Sequence, residues 1–277
     1  MLHLRKEVEK MPIITKITFQ KKNTDRYNIY MDYGKGEEYA FSVDEDVLIK
    51  HQLKKGIELD EFSLNEIGYQ DDIRKSYNMA IQYLSRRMRS ETEVRKHLAD
   101  KEVEEPVIQE VVHKLYDYKF LNDEEYAKAF VRTQMNTSDK GKGLIRTELK
   151  EKGISPKLID EALEVYSREA ELSTAIRLCE KHAQKYGRDS SKILKQKLEQ
   201  MLMRKGFNFD IIQEAISETE IEKEEDEELA ALKYQAEKAK RKYANLPDFE
   251  YRQKMKQTLF RKGFSFDLID RYLSDEE

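Results

Sequence analysis

Four copies of one helix–stop–helix pattern follow one another along the chain after about residue 71. On a common frame, Glu102, Gly153, Gly206 and Gly263 are equivalent positions, spaced by 51, 53 and 57 residues. This period is long enough for about three short helices. A three-helix unit of that size buries too little apolar surface to be stable alone, so the copies are expected to stack on one another. The sequence therefore predicts a mainly α protein, an elongated array of four tandem three-helix repeats.

The stop in each copy is built from residues that end one helix and start the next. A glycine stands where the helix ends in a left-handed conformation, which glycine adopts without a Cβ penalty. Two residues later comes a side chain of the N-cap type. These caps are Ser155, Asn208 and Ser265. The first copy has Glu102 and Glu104 instead, so its break is marked less clearly.

Each copy also has a leading helix before this pair. The predicted leading helices are Ala80–Met88, Glu124–Gln134, Glu171–Tyr186 and Leu229–Tyr243. In the first copy, Ser90 and Glu93 form the S-x-x-E pattern of a capping box, which predicts the start of the next helix.

A small antiparallel β-rich module is predicted before the repeats. Its strands are Ile13–Phe19, Tyr27–Tyr33 and Glu38–Phe41, with a turn at residues 34–36. Asp44–Leu53 is a predicted short helix, whereas Ile57–Ile67 matches neither period. The predicted domains are a tail at 1–10, the β-rich module at 11–70, repeats 1 to 3 at 71–120, 121–170 and 171–220, and an acidic joint with repeat 4 at 221–277.

Charge is distributed unevenly along the repeats, although the net formal charge is only -4. Residues 214–228 hold nine acids and one lysine, residues 177–205 have a net charge of +6, and residues 233–262 have +7. The third and fourth copies are therefore basic modules separated by an acidic joint. We hypothesise that this joint shields the basic copies until a partner displaces it, so that neutralising its acids would tighten DNA binding.

Basic residues also recur at equivalent repeat positions. The columns are Lys101, Lys152, Lys205 and Lys262; Lys142, Lys195 and Arg252; and Arg95, Arg146 and Lys256, which Glu199 interrupts. Such columns suit a phosphate backbone or another linear polyanion. Lysines near helix C-termini also favour the helix dipole, so the first column has a second explanation. The densest arginine cluster is Arg86, Arg87 and Arg89, which could bind phosphate or carboxylate.

Catalytic, metal and cofactor sites are poorly supported. Cys179 and His182 lack a second pair of zinc ligands, and the single cysteine excludes an internal disulfide. Residues 141–143 lack the remaining residues of a phosphate-binding loop and are better interpreted as a loop or a helix start. The tyrosines at helical spacing are expected in the core rather than in base stacking. They are Tyr83, Tyr116, Tyr126 and Tyr166.

The repeats resemble the RecX regulators of the RecA recombinase. The resemblance rests on the run from Ala80 to Ser90, with its Leu-Ser-Arg-Arg, and on Phe120 to Ala127, which reads Phe-Leu-Asn-Asp-Glu-Glu-Tyr-Ala. Arg132 and the Lys-Gly pair at 152–153 extend it. It covers about residues 71–277. A fourth copy and a β-rich extension are features of longer members.

The resemblance implies a non-enzymatic protein that lies in the helical groove of the RecA filament on single-stranded DNA, and no cofactor or metal is expected from the residues. There it would modulate ATP hydrolysis, filament growth and strand exchange in DNA repair and recombination. The predicted contact residues are Arg86, Arg87, Arg89, Arg95, Arg132, Lys142, Arg146, Lys152, Lys195, Lys205, Arg252, Lys256 and Lys262. The single cysteine and the absence of a signal peptide or a run of 18 apolar residues predict a cytoplasmic protein without membrane contact. We also expect a monomer.

The alternative is a single-stranded nucleic-acid-binding protein that acts without RecA. The same basic columns would then contact the phosphates directly. Its affinity would fall steeply with salt, by about one unit of log–log slope per neutralised phosphate. A RecA ATPase titration would separate the two functions.

Overall fold

The structure, a computed structural model, describes residues 11–21, 23–219, 221 and 223–274. Within these residues it has three strands, β1 (Ile13–Phe19), β2 (Arg26–Asp32) and β3 (Glu37–Asp44), and thirteen helices. The helices are α1 (Glu45–Lys50), α2 (Glu61–Leu84), α3 (Glu91–Ala99), α4 (Glu105–Asp117), α5 (Asp123–Thr137), α6 (Lys142–Glu151), α7 (Pro156–Leu163), α8 (Arg168–Lys185), α9 (Ser191–Arg204), α10 (Phe209–Glu218), α11 (Glu225–Tyr243), α12 (Asp248–Arg261) and α13 (Phe266–Ser274). The predicted mainly α fold with a small antiparallel N-terminal sheet is confirmed.

Helices α2–α4, α5–α7, α8–α10 and α11–α13 form repeats 1 to 4. The chain divides into two compact units, Met1–Tyr126 and Ala127–Glu277. Because α2 runs without interruption through residue 70, the predicted boundary between the β-rich module and repeat 1 lies inside a helix. The predicted tail at 1–10 lies outside the described residues. None of the described helices is long and apolar enough to cross a bilayer.

The sheet has the strand order β1-β2-β3, with both pairs antiparallel. Alternate side chains such as Ile14, Ile29 and Met31 are buried against α1 and the start of α2. The β2–β3 turn is held by Asp32, whose carboxylate accepts hydrogen bonds from the Gly34 and Gly36 N–H groups. The three predicted strands are confirmed, and β3 extends three residues further than predicted.

Helix α2 belongs to both the sheet core and repeat 1. It begins after Asp60, whose carboxylate accepts a hydrogen bond from the Ser63 N–H at 2.8 Å. The segment Ile57–Ile67, which matched neither period in the sequence, therefore contains the start of α2. The leading helix of repeat 1 was expected to reach Met88, and this end is wrong because α2 stops at Leu84. Asp71 in the middle of α2 is buried and forms two hydrogen bonds with the Arg26 guanidinium of β2, at 2.8 and 3.1 Å.

The stop between the middle and third helices is the same in all four repeats. In repeat 3 the Gly206 N–H donates to the Met203 carbonyl and the Phe207 N–H to the Leu202 carbonyl. Equivalent bonds are donated by Glu102 and Val103, by Gly153 and Ile154, and by Gly263 and Phe264. This pair of bonds is the Schellman C-cap, and its C′ residue has positive φ in every copy.

The first copy forms this stop without glycine. Glu102 has φ +61°, against +82° for Gly206. A left-handed conformation costs a residue with a Cβ about 1–2 kcal/mol. The helix break of the first copy is therefore present, although its left-handed glutamate strains the backbone.

The predicted caps form with one exception. Ser90 and Glu93 make the reciprocal bonds of a capping box, and Ser155 and Ser265 accept hydrogen bonds from the N–H groups three residues later. Asn208 occupies the N-cap of α10, but its side chain makes no capping hydrogen bond.

Carboxylates of leading helices cap the middle helices that precede them in the chain. In each case the carboxylate accepts a hydrogen bond from the first backbone N–H of the middle helix. The pairs, carboxylate first, are Asp123 with Glu91 at 2.8 Å, Glu171 with Lys142 at 2.8 Å, and Glu228 with Ser191 at 3.1 Å. Burial raises the pKa of Glu171 and also that of Asp123, where the negative charges of Glu91 and Glu93 add to the effect.

Repeats 2 and 3 also meet through glycine backbone. The Gly141 N–H donates to the Lys205 carbonyl at 2.8 Å, and the Gly143 N–H donates to the Gly206 carbonyl at 2.9 Å. A Cβ on Gly206 would collide with the backbone of Leu144. Residues 141–143 are thus the start of α6, one of the two predicted alternatives, and their glycines permit this close approach.

The four tyrosines do not all lie in the core as expected. Tyr126 and Tyr166 are buried, and Tyr83 is half-buried with its ring stacked on His97 at 3.9 Å. The expectation is wrong for Tyr116, which is 38% exposed and donates its hydroxyl to Glu91.

Candidate partner- and nucleic-acid-binding surface

The arginine cluster of repeat 1 lies in the turn between α2 and α3, and its members differ in environment. Arg87 donates to the Glu93 carboxylate at 2.8 Å, a bond that raises the pKa of Arg87. Arg89 is largely buried, with its guanidinium 4.1 Å from the centre of the Tyr83 ring. Arg86 is exposed and forms no ion pair with a described residue. Arg86 is therefore the cluster member best placed to contact a partner.

The column of Arg95, Arg146 and Lys256 links the middle and third helices inside the repeats. Each of these bases pairs with an acid of its own repeat. The partners are Glu105 for Arg95, Asp160 for Arg146 and Asp270 for Lys256, with N–O distances of 3.0, 2.5 and 2.7 Å.

The third repeat explains why this column is interrupted. Its residue at this position, Glu199, accepts a hydrogen bond from Gln213 at 3.2 Å. In the last three repeats the two partners are 14 residues apart, so this spacing was a signal in the sequence. The column thus preserves a contact between two helices rather than a positive charge.

The column of Lys142, Lys195 and Arg252 is mixed. Lys142 is half-buried with its Nζ 5.9 Å from the centre of the Tyr166 ring, and Arg252 lies 3.5 Å from Asp248. Lys195 is exposed on α9 and forms no ion pair with a described carboxylate.

The lysine column at the helix C-termini has a structural role through its backbone. Lys152, Lys205 and Lys262 are the C-cap residues of α6, α9 and α12. The Lys262 carbonyl accepts the Ser190 hydroxyl at 2.6 Å, the counterpart of the bond between Gly141 and Lys205.

The side chains of these lysines differ in exposure. Lys152 lies 5.5 Å from the centre of the Phe130 ring, and Lys205 is half-buried. Arg177 lowers the pKa of Asp139, and Lys205 contributes to this shift. Lys262 is exposed.

Four of the predicted contact residues are exposed and form no ion pair within the part of the chain that the structure describes. They are Arg86, Arg132, Lys195 and Lys262, one in each repeat. The other predicted contact residues are half-buried or lie beside an acid or an aromatic ring. The exposed four are the best-placed cations for an anionic partner.

A groove of about 1030 Å³ adjoins Lys195. It is lined by Lys192 and Lys195 of α9, by Gln213 and Ser217 of α10, and by apolar side chains that include Ile221. No described residue that lines it carries a carboxylate. The groove therefore offers two ammonium groups and polar hydrogen-bonding groups to an anion. Lys192 was missed because it has no basic counterpart in the other copies.

The acidic joint is in large part structural. Glu225 pairs with Arg271, Glu214 with Arg168, and Glu228 caps α9. The Lys223 ammonium donates to the Gly187 and Asp189 carbonyls after the end of α8. Acids 220 and 222 of the joint lie outside the described residues. The described contacts join neighbouring helices, and the predicted shielding role stays a prediction.

Cys179 is buried on α8, and burial raises its thiol pKa to about 11. The neutral thiol is a poor metal ligand and a poor nucleophile at neutral pH. No group of three His, Cys, Asp or Glu side chains among the described residues could hold a metal ion.

Family models match the chain over its N-terminal module and all four repeats. The model described as the regulatory protein RecX N-terminal domain matches residues 12–60, and those of the RecX first and second three-helix domains match 77–115 and 122–163. The third three-helix domain matches twice, at 169–216 and 225–273. Repeat 4 is thus similar to repeat 3.

Curated relatives named regulatory protein RecX are similar over almost the whole chain. Those of Bacillus velezensis and Bacillus subtilis are 49% identical over 267 residues, which is 96% of this chain and 100% of theirs. The relative of Halalkalibacterium halodurans is 44% identical over 266 residues, with the same coverage.

Two solved structures are also similar. One, titled as the regulatory protein RecX, has a TM-score of 0.66 at 36% identity and covers 73% of this chain and 98% of its own. The other, RecX from Lactobacillus salivarius, has a TM-score of 0.53 at 39% identity, over 55% of this chain and 99% of its own.

Proposed function

Because the chain belongs to the RecX family of regulatory proteins, we propose that it binds the RecA recombinase filament and modulates its ATP hydrolysis, filament growth and strand exchange in DNA repair and recombination. It would act in the cytoplasm as a monomer, by binding rather than by catalysis. The observation that supports this role is the set of exposed cations, Arg86, Arg132, Lys195 and Lys262, of which each repeat carries one, at a different position of the repeat. Exposed cations in every repeat suit a partner that offers negative charge over an extended surface.

The test is a titration of RecA's single-stranded-DNA-dependent ATPase with the purified full chain. We expect the ATPase rate and the filament length to change at stoichiometric amounts. No change in either quantity would refute the proposal.

The contact set is tested by replacing the four exposed cations together with glutamine. We expect the concentration for half-maximal effect to rise about tenfold or more, which corresponds to about 1.4 kcal/mol of lost binding free energy. The matched control replaces four exposed lysines of the N-terminal module, so that the net charge changes equally. These are Lys21, Lys35, Lys54 and Lys55. An equal loss in both variants would indicate that only net charge matters.

RecA-independent binding of single-stranded nucleic acid is the second candidate function. The groove beside Lys192 and Lys195 favours it, because ammonium groups that line a groove can bind phosphates directly. For this function, oligonucleotide affinity without RecA should fall with salt at a log–log slope of about -0.7 per phosphate contact. A salt-independent affinity would contradict it.

A further inference from the structure

Large apolar side chains are exposed on both sides of the Schellman turn in repeats 3 and 4. In repeat 3 they are Met203, 63% exposed, and Phe209, 73% exposed. In repeat 4 the equivalent residues are Phe260, 47% exposed, and Phe266, 55% exposed. The rings of Phe260 and Phe266 stack with centroids 4.3 Å apart and an interplanar angle of 16°. Repeats 3 and 4 thus both expose aromatic surface to solvent beside this turn.

The turn does not require these side chains. Repeats 1 and 2 form the same two backbone hydrogen bonds with other residues at these positions. Those residues are Ala99 with Glu105, and Lys150 with Pro156. The apolar contact typical of a Schellman turn is supplied instead by Phe207 and Phe264, which are buried. Apolar surface that stays exposed without a folding role is typical of an interaction site.

Cations lie between the two apolar positions of each turn. They are Arg204 and Lys205 in repeat 3, and Arg261 and Lys262 in repeat 4. Both arginines donate their Nε to the backbone carbonyl four residues earlier, at 3.3 and 3.4 Å, and neither forms an ion pair with a described carboxylate. We call Met203, Arg204, Lys205 and Phe209 the repeat 3 patch, and Phe260, Arg261, Lys262 and Phe266 the repeat 4 patch.

Each patch also has an acid close by in the sequence. Asp210 and Asp267 lie in the first turns of α10 and α13, next to Phe209 and Phe266. The Asp210 carboxylate lies 3.8 Å from the Arg168 guanidinium. The net charge of both patches stays positive with these acids included.

We propose that the two patches bind single-stranded nucleic acid by stacking bases on Phe209 and on the Phe260–Phe266 pair, while the adjacent arginines and lysines contact phosphates. This inference rests on the proposed binding of single-stranded nucleic acid. It assigns the side chains that contact the bases and those that contact the phosphates. Unpaired bases expose flat apolar faces along a phosphate chain, and aromatic rings beside cations match both features. Phenylalanine, methionine and arginine also occur in protein interfaces, where lysine is depleted, so docking on a protein is one outcome of the tests below.

The stacking role is tested by measuring the anisotropy of a fluorescein-labelled oligo(dT), titrated with the full chain in the absence of RecA. Phe209→Ala and the double variant Phe260→Ala/Phe266→Ala should each weaken binding about fivefold or more. The control is Phe62→Ala, because Phe62 is 76% exposed on α2, and its affinity should equal that of the wild type. A duplex of the same length should bind more weakly, since its bases are not available for stacking.

Salt dependence separates stacking from phosphate contact. The phenylalanine variants should keep the wild-type log–log salt slope, because they remove no charge. Arg204→Gln and Arg261→Gln should each reduce its magnitude by about 0.7. A reduced slope in the phenylalanine variants would contradict a stacking role.

A direct reporter is available because the chain contains no tryptophan. Phe209→Trp should bind oligo(dT) about as tightly as the wild type, and its fluorescence should be quenched on binding by the stacked base. Unchanged tryptophan emission on saturation with oligo(dT) would overturn the assignment of Phe209.

The RecA ATPase titration, run with the same variants, distinguishes this inference from the proposed function. If the wild type regulates RecA but does not bind oligo(dT), or if the alanine variants bind it with wild-type affinity, the inference fails and the proposed function stands. If the variants lose RecA regulation and keep oligo(dT) affinity, the patches dock on protein and the inference is also overturned. Thermal melts of Phe209→Ala should match the wild type because its ring is 73% exposed, whereas the double variant should melt slightly lower because it loses the stacking of Phe260 on Phe266.

Discussion

One buried carboxylate in each unit joins neighbouring elements, and the two differ in what they bind. In the first unit, the buried Asp71 of α2 meets the Arg26 guanidinium of β2, and the left-handed position of the turn is occupied by Glu102. In the second unit, the buried Glu171 accepts a hydrogen bond from a backbone N–H, and glycines such as Gly206 provide both the turn and the close approach between helices. The Asp71 link therefore pairs two charges, whereas the Glu171 link pairs a carboxylate with backbone, as the bond between Asp123 and the Glu91 N–H also does in the first unit.

This difference gives the two buried carboxylates opposite pKa shifts. Burial alone would raise the pKa of Asp71, but its bonds to Arg26, Lys75 and the Asp44 N–H hold that pKa below its ordinary value. Burial raises the pKa of Glu171, and the Lys142 N–H opposes the rise only in part. Asp71 thus contributes stability above the ordinary carboxyl pKa, which is lost as the pH falls through its lowered pKa. Glu171 instead costs stability as the pH rises from the ordinary carboxyl pKa through its raised pKa.

The largest effect is expected from breaking the charge pair. Asp71→Ala would leave the largely buried Arg26 guanidinium without its carboxylate, at a cost of about 3–5 kcal/mol in the free energy of unfolding. Urea unfolding followed by circular dichroism measures it. Asp72→Ala is the control, because Asp72 is exposed and should change stability by less than about 0.5 kcal/mol. Equal losses in the two variants would show that the Arg26–Asp71 pair is not the critical link.

The second unit is tested at its glycine contact. Gly206→Ala places a Cβ in a left-handed conformation and against the Leu144 backbone, and should cost about 2–5 kcal/mol. Gly187→Ala is the matched control, because its Cβ would meet other atoms only at 3.7 Å or more, at ordinary contact distance. Thermal unfolding of both variants checks the difference. A Gly206→Ala variant as stable as Gly187→Ala would show that repeats 2 and 3 do not need this approach.

The residues of these contacts also show what the sequence could predict. The turns and most of their caps could be predicted from local rules, because a glycine followed two residues later by Ser or Asn is typical of one helix ending and the next beginning. The pair of Arg146 with Asp160 could have been found from its 14-residue spacing, which recurs in the last three repeats, whereas the bond between Glu171 and Lys142 depends on how the helices of two repeats pack. For the same reason, most bases of the predicted contact surface turned out to be half-buried or to lie beside acids or aromatic rings.

Removing the charge of Glu171 is expected to have a smaller effect, and one that depends on pH. Glu171→Gln keeps an acceptor for the Lys142 N–H without a buried charge. Its stability relative to the wild type should rise as the pH increases from the ordinary carboxyl pKa through the raised pKa, and then stay constant. Urea unfolding at several pH values measures this difference.

The control for Glu171 is Glu169→Gln. The pKa of Glu169 is lowered by its own backbone N–H and by Ser167, so the stability of this variant relative to the wild type should fall as the pH rises. A difference of the same sign in both variants would contradict the burial argument.

The smallest effect is expected from giving the first unit the turn residue of the second. Glu102→Gly removes the strain of a left-handed glutamate, and the greater freedom of glycine in the unfolded chain offsets part of the gain. Stability should increase by about 0.5–1 kcal/mol. The control is Lys101→Gly, which adds the same freedom to the unfolded chain. Because Lys101 is not among the residues with positive φ, this variant relieves no strain and should lower the stability of the protein. If both variants lost stability alike, the glutamate would be making a contact that compensates for its backbone, and the turn of repeat 1 would differ from the other three in more than its residue type.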